Sequence, residues 1–317
     1  MVDSKQQWKA WLYLLPAIVL LLIFTAWPIF NTVRIAFLED YGLINSMTGK
    51  FNFQFGFKNF VSVLKYKDFG VCLKNTVLLT IITVPLSTII ALLIAVCLNS
   101  IKPLNKLLQT IYFLPYVTNS IAIGMVFSTM FNIINSQSIG INDKLVNFGI
   151  VNDILRFFGF EAINWIKAES TYWANMTVLI IYIVWNALPF KILILLGGLQ
   201  SVNKQYYDAA KIDGTSRSRT LWRITVPLLS PMLAYVIITG FIGGFKEYSS
   251  VVGIFGESMG PVGSQYRLDT MVGFIYRMIS KTPNKEGIAS AGALILFGII
   301  LVITMINLYV SKKKVHY

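Results

Sequence analysis

The sequence predicts an all-α integral membrane protein with six transmembrane helices, on two observations. Hydrophobic residues make up 56% of the 317 residues and charged residues only 13%, whereas charged residues are about 25% of a typical soluble domain. Six apolar runs also reach the length of about 20 residues that a helix needs to cross the hydrocarbon core of a bilayer. These runs occupy residues 12–38, 71–98, 111–133, 172–199, 228–250 and 287–310.

The first run is expected to be a permanent helix. Only two lysines precede it and no small-residue cleavage site follows it, so it does not have the pattern of a removable signal peptide. With the N-terminus inside the cell, the inner connections are denser in lysine and arginine than the outer ones, as the positive-inside rule requires. We therefore expect a multi-pass membrane protein with cytoplasmic N- and C-termini, the latter carrying Lys312, Lys313 and Lys314.

The remaining reactive residues exclude several classes of function. Cys72 and Cys97 lie far apart on the second run, too distant for a disulfide, so we expect both to be packing residues. His316 is the only histidine, which removes histidine-based catalysis and most zinc sites, and no metal site is predicted. The net charge of +13 is scattered over the connections, which favours contact with anionic lipid headgroups over nucleic-acid binding.

The fourth run contains the segment Trp-Asn-Ala-Leu-Pro, residues 185–189. Because proline interrupts helical hydrogen bonding, this segment predicts a helix break at mid-depth. The break would expose the Asn186 carboxamide and the Trp185 indole, which could stack on a sugar ring. Ordinary helix packing explains either residue equally well. Lys191, nearer the inner end, is expected to extend its ammonium towards the inner membrane surface.

The fifth run contains two adjacent charges, Lys246 and Glu247. A charge at the bilayer centre costs about 2.5 to 3.5 kcal/mol on insertion scales, so intramembrane charges often mark a functional path. Glycines 240, 243 and 244 precede them and would permit close helix packing or a break. On a continuous helix Lys246 and Ser249 would share one face. The alternative is that both charges reach the outer membrane surface.

The connection between the fourth and fifth runs is a charged, helix-forming segment, Asp-Ala-Ala-Lys-Ile-Asp-Gly at residues 208–214. Alanine favours helix, Asp208 suits a helix N-terminus, and Gly214 suits the left-handed turn that ends a short helix. Ile224-Thr-Val-Pro227 follows nine residues later. Pro227 and Pro231 are expected to redirect the chain into the next span. The segment therefore predicts a short docking helix.

This spacing resembles the EAA loop by which permeases of ABC importers contact their ATPase. That pattern is Glu-Ala-Ala, three residues, Gly, nine residues and Ile-x-Leu-Pro; here Asp208 replaces the Glu and Val226 the Leu. Further short matches resemble the carbohydrate-uptake branch, and within it the first permease of maltose and glycerol-phosphate systems. They are Leu14-Leu-Pro-Ala17, Gly56-Phe-Lys-Asn-Phe60, Asn75-Thr76, Tyr112-Phe-Leu-Pro115, Gly198-Leu-Gln200 and Tyr276-Arg277.

The resemblance implies a type I ABC-importer permease fold and a permease subunit of a binding-protein-dependent carbohydrate importer in a bacterial plasma membrane. Its partners would be a second permease in a heterodimer, two ATPase subunits, an extracytoplasmic binding protein and a carbohydrate substrate. No G-x-x-x-x-G-K-[ST] loop occurs in the sequence, so ATP and Mg²⁺ would be bound by the ATPase and not by this chain. The resemblance assigns coupling to Asp208, Ala209, Ala210, Asp213 and Gly214, and it places Trp185, Asn186, Lys246 and Ser249 near the translocation path.

The expected organisation is an N-terminal helix and outer loop (1–70), a permease core (71–310) with the coupling loop at 200–231, and a cytoplasmic tail (311–317). An ABC permease for a non-sugar solute, such as a polyamine, phosphate or peptide, is the main alternative. An intramembrane enzyme would need paired carboxylates or a nucleophile with its base, and Glu247 is the only acid inside the predicted spans. A channel or a scaffold without an ATPase is the remaining alternative.

Overall fold

A computed structural model describes residues 7–41, 54–101, 105–136 and 145–314. Four helices in this part of the chain are long and apolar enough to cross a membrane, and two bent helix pairs raise the number to six if each pair is one span. The prediction of an all-α membrane protein is confirmed, and the range of four to six candidate spans includes the predicted six. The single spans are Trp8–Phe37, Phe69–Ser100, Tyr172–Ser201 and Glu286–Lys313, and the bent pairs are Leu107–Val117 with Ser120–Phe131 and Arg217–Leu228 with Ser230–Phe245.

The chain divides into two compact units, and the first comprises Met1–Phe69 and Phe274–Gly298. Within it, the buried Asn59 side chain donates to the backbone oxygens of Ala36 and Leu38 at 3.1 and 2.9 Å, which fixes the end of the first span. Arg277 pairs with Asp68 at 2.8 Å. Its elements up to residue 65 are α1 Gln7–Leu21, a π turn Leu22–Ala26, α2 Trp27–Phe37, β1 Leu38–Glu39, β2 Gln54–Phe55 and α3 Lys58–Lys65.

The second unit comprises Gly70–Gly273 and Ile299–Tyr317. The sequence-based boundaries at 70 and 310 remain a prediction. The elements that follow α3 are α4 Phe69–Ser100, α5 Asn105–Val117, α6 Ser120–Phe131, β3 Ile134–Ser136, β4 Leu145–Asn147, α7 Gly149–Phe157, α8 Tyr172–Ser201, α9 Lys204–Ile212, α10 Arg217–Thr220, a π-helix Leu221–Thr225, α11 Val226–Leu228, α12 Ser230–Phe245, α13 Ser249–Phe255, a 3₁₀ turn Gly256–Ser258, α14 Met271–Ser280 and α15 Glu286–Lys314.

The core of the second unit consists of two apolar clusters along α4 and α8. One includes Leu79 of α4 and Leu179 and Tyr182 of α8. The other includes Ala91 of α4 and Leu195 of α8. Because the clusters lie towards opposite ends of the same two helices, they leave the middle third of each helix between them.

The third predicted span is bent by 98° between α5 and α6. The Asn119 side chain accepts hydrogen bonds from the backbone N–H groups of Ile121 and Ala122 at 2.9 and 3.4 Å. These are two of the donors that the start of a helix leaves unsatisfied, so Asn119 stabilises a new helix start inside an apolar run. The hydropathy pattern, which predicts one continuous span, does not reveal this bend.

The fifth span is bent by 71° where α11 meets α12. Pro227 lies in the first turn of α11, and Pro231 lies in the first turn of α12. The fixed φ of proline suits the first turn of a helix, and its missing N–H interrupts the hydrogen bonding to the preceding turn. The prediction that these two prolines redirect the chain into the span is confirmed.

Candidate functional site

A cavity of about 300 Å³ opens midway along α4, α8 and α12, between the two apolar clusters. The cavity lies halfway along helices that are long enough to span a bilayer. Polar side chains are unfavourable at that depth unless they face other protein groups or a cavity. The polar lining residues are Thr83, Ser87, Asn186, Lys191, Thr239 and Glu247, and the other lining residues are Val84, Tyr116, Ile183, Ala187, Phe190, Val236, Gly240, Gly243 and Gly244.

Lys191 is 5% exposed and does not extend to a membrane surface. Its ammonium donates to the Ser87 hydroxyl at 2.7 Å, the Thr88 hydroxyl at 2.9 Å and the Val84 carbonyl at 3.1 Å, all on α4. An ammonium has three N–H donors, and these three acceptors satisfy them. The prediction that Lys191 extends inward to the surface is wrong, because α4 supplies a complete set of acceptors at mid-depth.

Glycines on α12 let this helix approach α4 at the cavity. A methyl group at Gly240 would lie 3.0 Å from a Val84 methyl and 3.4 Å from the Lys191 ammonium, and one at Gly244 would lie 2.8 Å from Thr80. At Gly243, by contrast, no described atom lies within 4 Å of such a methyl group. Gly240 and Gly244 are therefore a packing pair of the small-xxx-small type, while Gly243 faces open space.

The helix of the fifth span stops at Phe245, and α13 begins at Ser249. The Glu247 carboxylate accepts hydrogen bonds from the backbone N–H groups of Tyr248 and Ser250, both at 3.0 Å. An acid at this position satisfies two orphan donors and interacts favourably with the helix dipole of α13. The break that the glycines permit thus occurs at residues 246–248, and Glu247 stabilises it at the wall of the cavity.

Aromatic rings form one wall of the cavity. Tyr116 stacks on Phe190 with ring centroids 5.8 Å apart and an interplanar angle of 18°. Near them the Asn186 amide donates to the Ser120 hydroxyl at 3.3 Å, and the Ser120 hydroxyl bonds to the Tyr182 hydroxyl at 3.1 Å. An aromatic face beside carboxamide, hydroxyl and carboxylate groups is a chemistry suited to a polyhydroxylated ligand.

Of the four path residues that the sequence proposes, Asn186 is the one among the cavity's lining residues. Trp185 packs instead on Phe127 at 5.1 Å, beside the first apolar cluster. Lys246 is exposed at the end of α12, and Ser249 opens α13. The expected shared face of Lys246 and Ser249 is wrong because the helix ends between them.

The predicted helix break at residues 185–189 is also wrong. α8 runs from Tyr172 to Ser201 with Pro189 inside it. A proline inside a membrane helix is tolerated where neighbouring groups satisfy the freed carbonyl. The cavity therefore depends on side chains of an unbroken α8, and the backbone discontinuity lies on the neighbouring span.

Sequence reasoning missed several lining residues: Lys191, the aromatic pair Tyr116 and Phe190, Thr239, and hydroxyl groups of α4. Thr76, Thr80, Thr83 and Ser87 recur at intervals of three or four residues within an otherwise apolar helix. That interval places them on one helical face, and this polar face was the signal available in the sequence. Three of their hydroxyls, those of Thr76, Thr80 and Ser87, also donate to carbonyls one turn earlier, which satisfies them within the helix.

The second candidate site is α9, the predicted docking helix. It begins one turn earlier than expected: Asn203 caps it by accepting from the Gln205 N–H at 3.0 Å. The proposed position of Asp208 at the helix start is wrong, and its carboxylate pairs instead with Lys211 on the exposed surface at 3.2 Å. The start of the helix follows from the side chain that satisfies its first N–H groups, and here that is Asn203.

The end of α9 agrees with the sequence. Gly214 has a φ of +64°, and its N–H donates to the Lys211 carbonyl at 3.1 Å while the Thr215 N–H donates to the Ala210 carbonyl at 2.9 Å. This pair of bonds is the Schellman motif, which needs a left-handed residue after the helix. The prediction of a left-handed turn at Gly214 is confirmed.

One face of α9 is exposed and partly apolar. Tyr206, Ala209 and Ile212, three residues apart, are exposed, and Ile212 is 87% exposed. Ala210 is buried on the opposite side. Asp208, Ala209, Asp213 and Gly214 are all exposed, so four of the five proposed coupling residues are accessible and Ala210 anchors the helix. An exposed apolar strip bordered by charges is typical of a protein interaction surface.

Comparisons with known proteins agree on one family. Residues 77–316 match the family described as binding-protein-dependent transport system inner membrane component. The lactose transport system permease protein LacF of Rhizobium radiobacter is 25% identical over 96% of this chain and 95% of its own length. The arabinooligosaccharides transport system permease protein AraP of Halalkalibacterium halodurans is 32% identical over 81% of this chain and 75% of its own length.

A solved structure has the same fold. It is a chain of a bacterial alginate ABC transporter in complex with an alginate pentasaccharide-bound periplasmic protein. The two chains superpose with a TM-score of 0.76, which covers 98% of this chain and 96% of the other, at 22% sequence identity. At this level of identity the likeness concerns the fold and not the ligand.

Proposed function

Because this chain belongs to the family of binding-protein-dependent transport system inner membrane components, we propose that it is the permease subunit of an ATP-driven carbohydrate importer. The observation that carries the proposal is the polar, aromatic-walled cavity midway along the membrane helices. The names of the related lactose and arabinooligosaccharide permeases support a carbohydrate as its occupant.

In this proposal the substrate crosses the membrane through the cavity without covalent chemistry. The stacked rings of Tyr116 and Phe190 offer an apolar face to a sugar ring, and Asn186, Thr239 and Glu247 offer hydrogen-bonding groups. Lys191 has a different role, because its donors are engaged by α4. It holds α8 against α4 and thereby sets the shape of the cavity.

In this proposal, ATP-driven movement of a partner subunit changes the conformation of the permease through α9. We propose that the exposed face containing Asp208, Ala209 and Asp213 docks on a separate ATPase that binds ATP and Mg²⁺. Moving a two-state equilibrium from 1:99 to 99:1 requires about 5.5 kcal/mol of differential interaction. A docking helix that remains folded but no longer fits the ATPase would therefore uncouple transport without unfolding the permease.

The proposed assembly contains a second permease, two ATPase subunits and an extracytoplasmic binding protein. Both termini and α9 would lie in the cytoplasm, in agreement with the density of lysine and arginine in the inner connections. The binding protein would meet the opposite side of the membrane. Purification of the chain with its associated subunits would test this composition, and absence of an ATPase from that complex would contradict it.

Uptake of labelled solutes tests the substrate class. Cells that lack this chain and cells in which it is restored would be given radiolabelled lactose, an arabinooligosaccharide, a polyamine, phosphate and a peptide. We expect ATP-dependent uptake of at least one carbohydrate only in the restored cells. If the restored cells took up a non-sugar solute and no carbohydrate, the carbohydrate hypothesis would be wrong. The proposal that the chain is a permease would still hold.

Substitution at Gly214 tests the coupling helix. The positive φ of Gly214 is unfavourable for a β-branched side chain and tolerated by asparagine. We expect Gly214→Val to lower uptake by tenfold or more and to reduce ATPase co-purification, while Gly214→Asn retains most of both. Immunoblotting of membranes would show whether the two variants are present in equal amounts. Normal uptake by Gly214→Val would contradict coupling through α9.

A further inference from the structure

The short segment that leads into α14, residues 267–271, connects the proposed sugar cavity to the start of α4. We call it the strap. Leu268, Asp269, Thr270 and Met271 in this segment are all fully buried, and its backbone is irregular until α14 begins at Met271. Backbone N–H and C=O groups that are buried outside a helix or a sheet need other hydrogen-bond partners. The partners of these groups therefore show what holds the strap in place.

Two buried residues of α4 hold one side of the strap. The Asn75 amide donates to the backbone oxygens of Arg267 and Asp269 at 3.1 and 2.9 Å. The Asn75 oxygen accepts from the Tyr172 hydroxyl at 2.7 Å, which orients the amide. The Thr76 hydroxyl accepts from the backbone N–H that begins α14 at 2.9 Å. The strap is thus fixed to α4, the helix whose Thr83 and Ser87 line the cavity.

Thr270 connects the other side of the strap to the helix break at Glu247. Its hydroxyl donates to the Glu247 carbonyl at 2.7 Å and accepts from the Gly273 N–H at 3.2 Å. A hydroxyl has a single proton, and here that proton is used by the Glu247 carbonyl. This carbonyl follows the end of α12, where carbonyl groups have no partner within their own helix. Thr270 therefore satisfies a polar group that the break creates.

Three polar groups of Glu247 are held by hydrogen bonds. Its N–H donates to the Gly244 carbonyl at 3.2 Å, and its carboxylate accepts from the N–H groups of Tyr248 and Ser250. These partners are its neighbours in the chain and would move with it. Its carbonyl accepts from Thr270, which lies 23 residues further along. Of the hydrogen bonds that Glu247 makes to described residues, the bond from Thr270 is the one that fixes the break to another part of the molecule.

We propose that Thr270 is a positioning residue for transport. It fixes the helix break to the strap, the strap is fixed to α4, and the Glu247 carboxylate is thereby placed at the wall of the cavity. Because α4 itself carries lining residues, the strap sets the position of the carboxylate relative to the hydroxyls of α4. This inference rests on the proposed function, since it takes the substrate to meet the cavity wall at Glu247.

Hydrogen–deuterium exchange of the chain, purified with its associated subunits, tests the positioning without any solute. Valine has the shape of threonine without the hydroxyl, so Thr270→Val is expected to raise amide exchange at Tyr248 and Ser250 by about fivefold. Thr270→Ala, which removes the same hydroxyl with less bulk, should have the same effect, and Thr270→Ser should keep the native exchange. Thr225→Val, which removes another buried hydroxyl, should leave these two amides unchanged. Native exchange in both Thr270→Val and Thr270→Ala would overturn the proposal.

A double-mutant cycle on uptake tests whether Thr270 acts through Glu247. ATP-dependent uptake of radiolabelled lactose and of an arabinooligosaccharide is compared at equal amounts of protein in the membrane. We expect Thr270→Val to lower uptake by about fivefold in the native chain but by less than about twofold in a Glu247→Ala background, because the effects of two coupled residues do not add. A purely structural role would give the same loss in both backgrounds, and that result would overturn the proposal.

Failure of the proposed function would be seen separately. If the restored cells took up neither sugar, the proposed substrate class would be wrong, and the exchange rates at Tyr248 and Ser250 would decide the role of Thr270 on their own.

Discussion

Lys191 illustrates how a single charge is accommodated in the middle of a membrane helix. An isolated lysine at that depth costs about 2.5 to 3.5 kcal/mol on insertion scales. Here the Val84 carbonyl and the hydroxyls of Ser87 and Thr88 accept its three donors. The sequence reveals the depth of Lys191 along α8 but not its acceptors, because these lie on α4, more than 100 residues earlier in the chain.

Lys191→Met separates the structural from the functional effect of this charge. The Ser87 and Thr88 hydroxyls also donate to carbonyls within α4, so removal of the ammonium leaves no hydroxyl donor unpaired. Methionine has a similar length and relieves the desolvation cost of the charge. We expect the free energy of unfolding in detergent to change by less than about 1.5 kcal/mol, while uptake falls several-fold. Unchanged uptake would show that the charge does not shape the path.

At the scale of elements, the sequence predicts the spans and the bend at Pro227 and Pro231, but not the bend at Asn119. The spans follow from apolar runs, which depend only on composition along the chain. The end of α9 also follows locally, since Gly214 alone supplies the left-handed turn. The bend at Asn119 and the break at Glu247 depend on side chains that accept from backbone N–H groups, and in a sequence such residues resemble ordinary packed polar residues.

The contact of α12 with α4 is testable with a matched pair of glycines. A methyl group at Gly244 would lie 2.8 Å from Thr80, whereas one at Gly243 would have no described atom within 4 Å. We therefore expect Gly244→Ala to lower the free energy of unfolding by about 1 to 3 kcal/mol, as overpacking does. Gly243→Ala should leave stability unchanged or raise it by about 0.4 to 1 kcal/mol.

Thermal unfolding of the two purified variants in the same detergent provides the measurement. Because both changes add one methyl group to the same helix, differences in helix propensity cancel. Equal melting temperatures for the two variants would contradict the close approach of α12 to α4.

At the scale of the whole molecule, the orientation in the membrane remains a prediction from the lysine and arginine pattern. A cysteine introduced for Lys211 lies on α9, and one introduced for Gln265 lies in the segment between α13 and α14; both positions are exposed. In a Cys97→Ala background, a membrane-impermeant maleimide should label Gln265→Cys in intact cells. Lys211→Cys should be labelled only after the membranes are opened. The reverse labelling pattern would contradict the predicted orientation of the chain.

The contact between α6 and α13 has a consequence for how the second unit can move. A methyl group at Gly124 would lie 2.7 Å from the Gly253 Cα, so the two backbones touch without intervening side chains. Each of these short helices follows a discontinuity in its own span, at Asn119 and at Glu247 respectively. Because the two backbones touch, any rotation at one discontinuity would have to move both short helices together, although they lie far apart in the sequence.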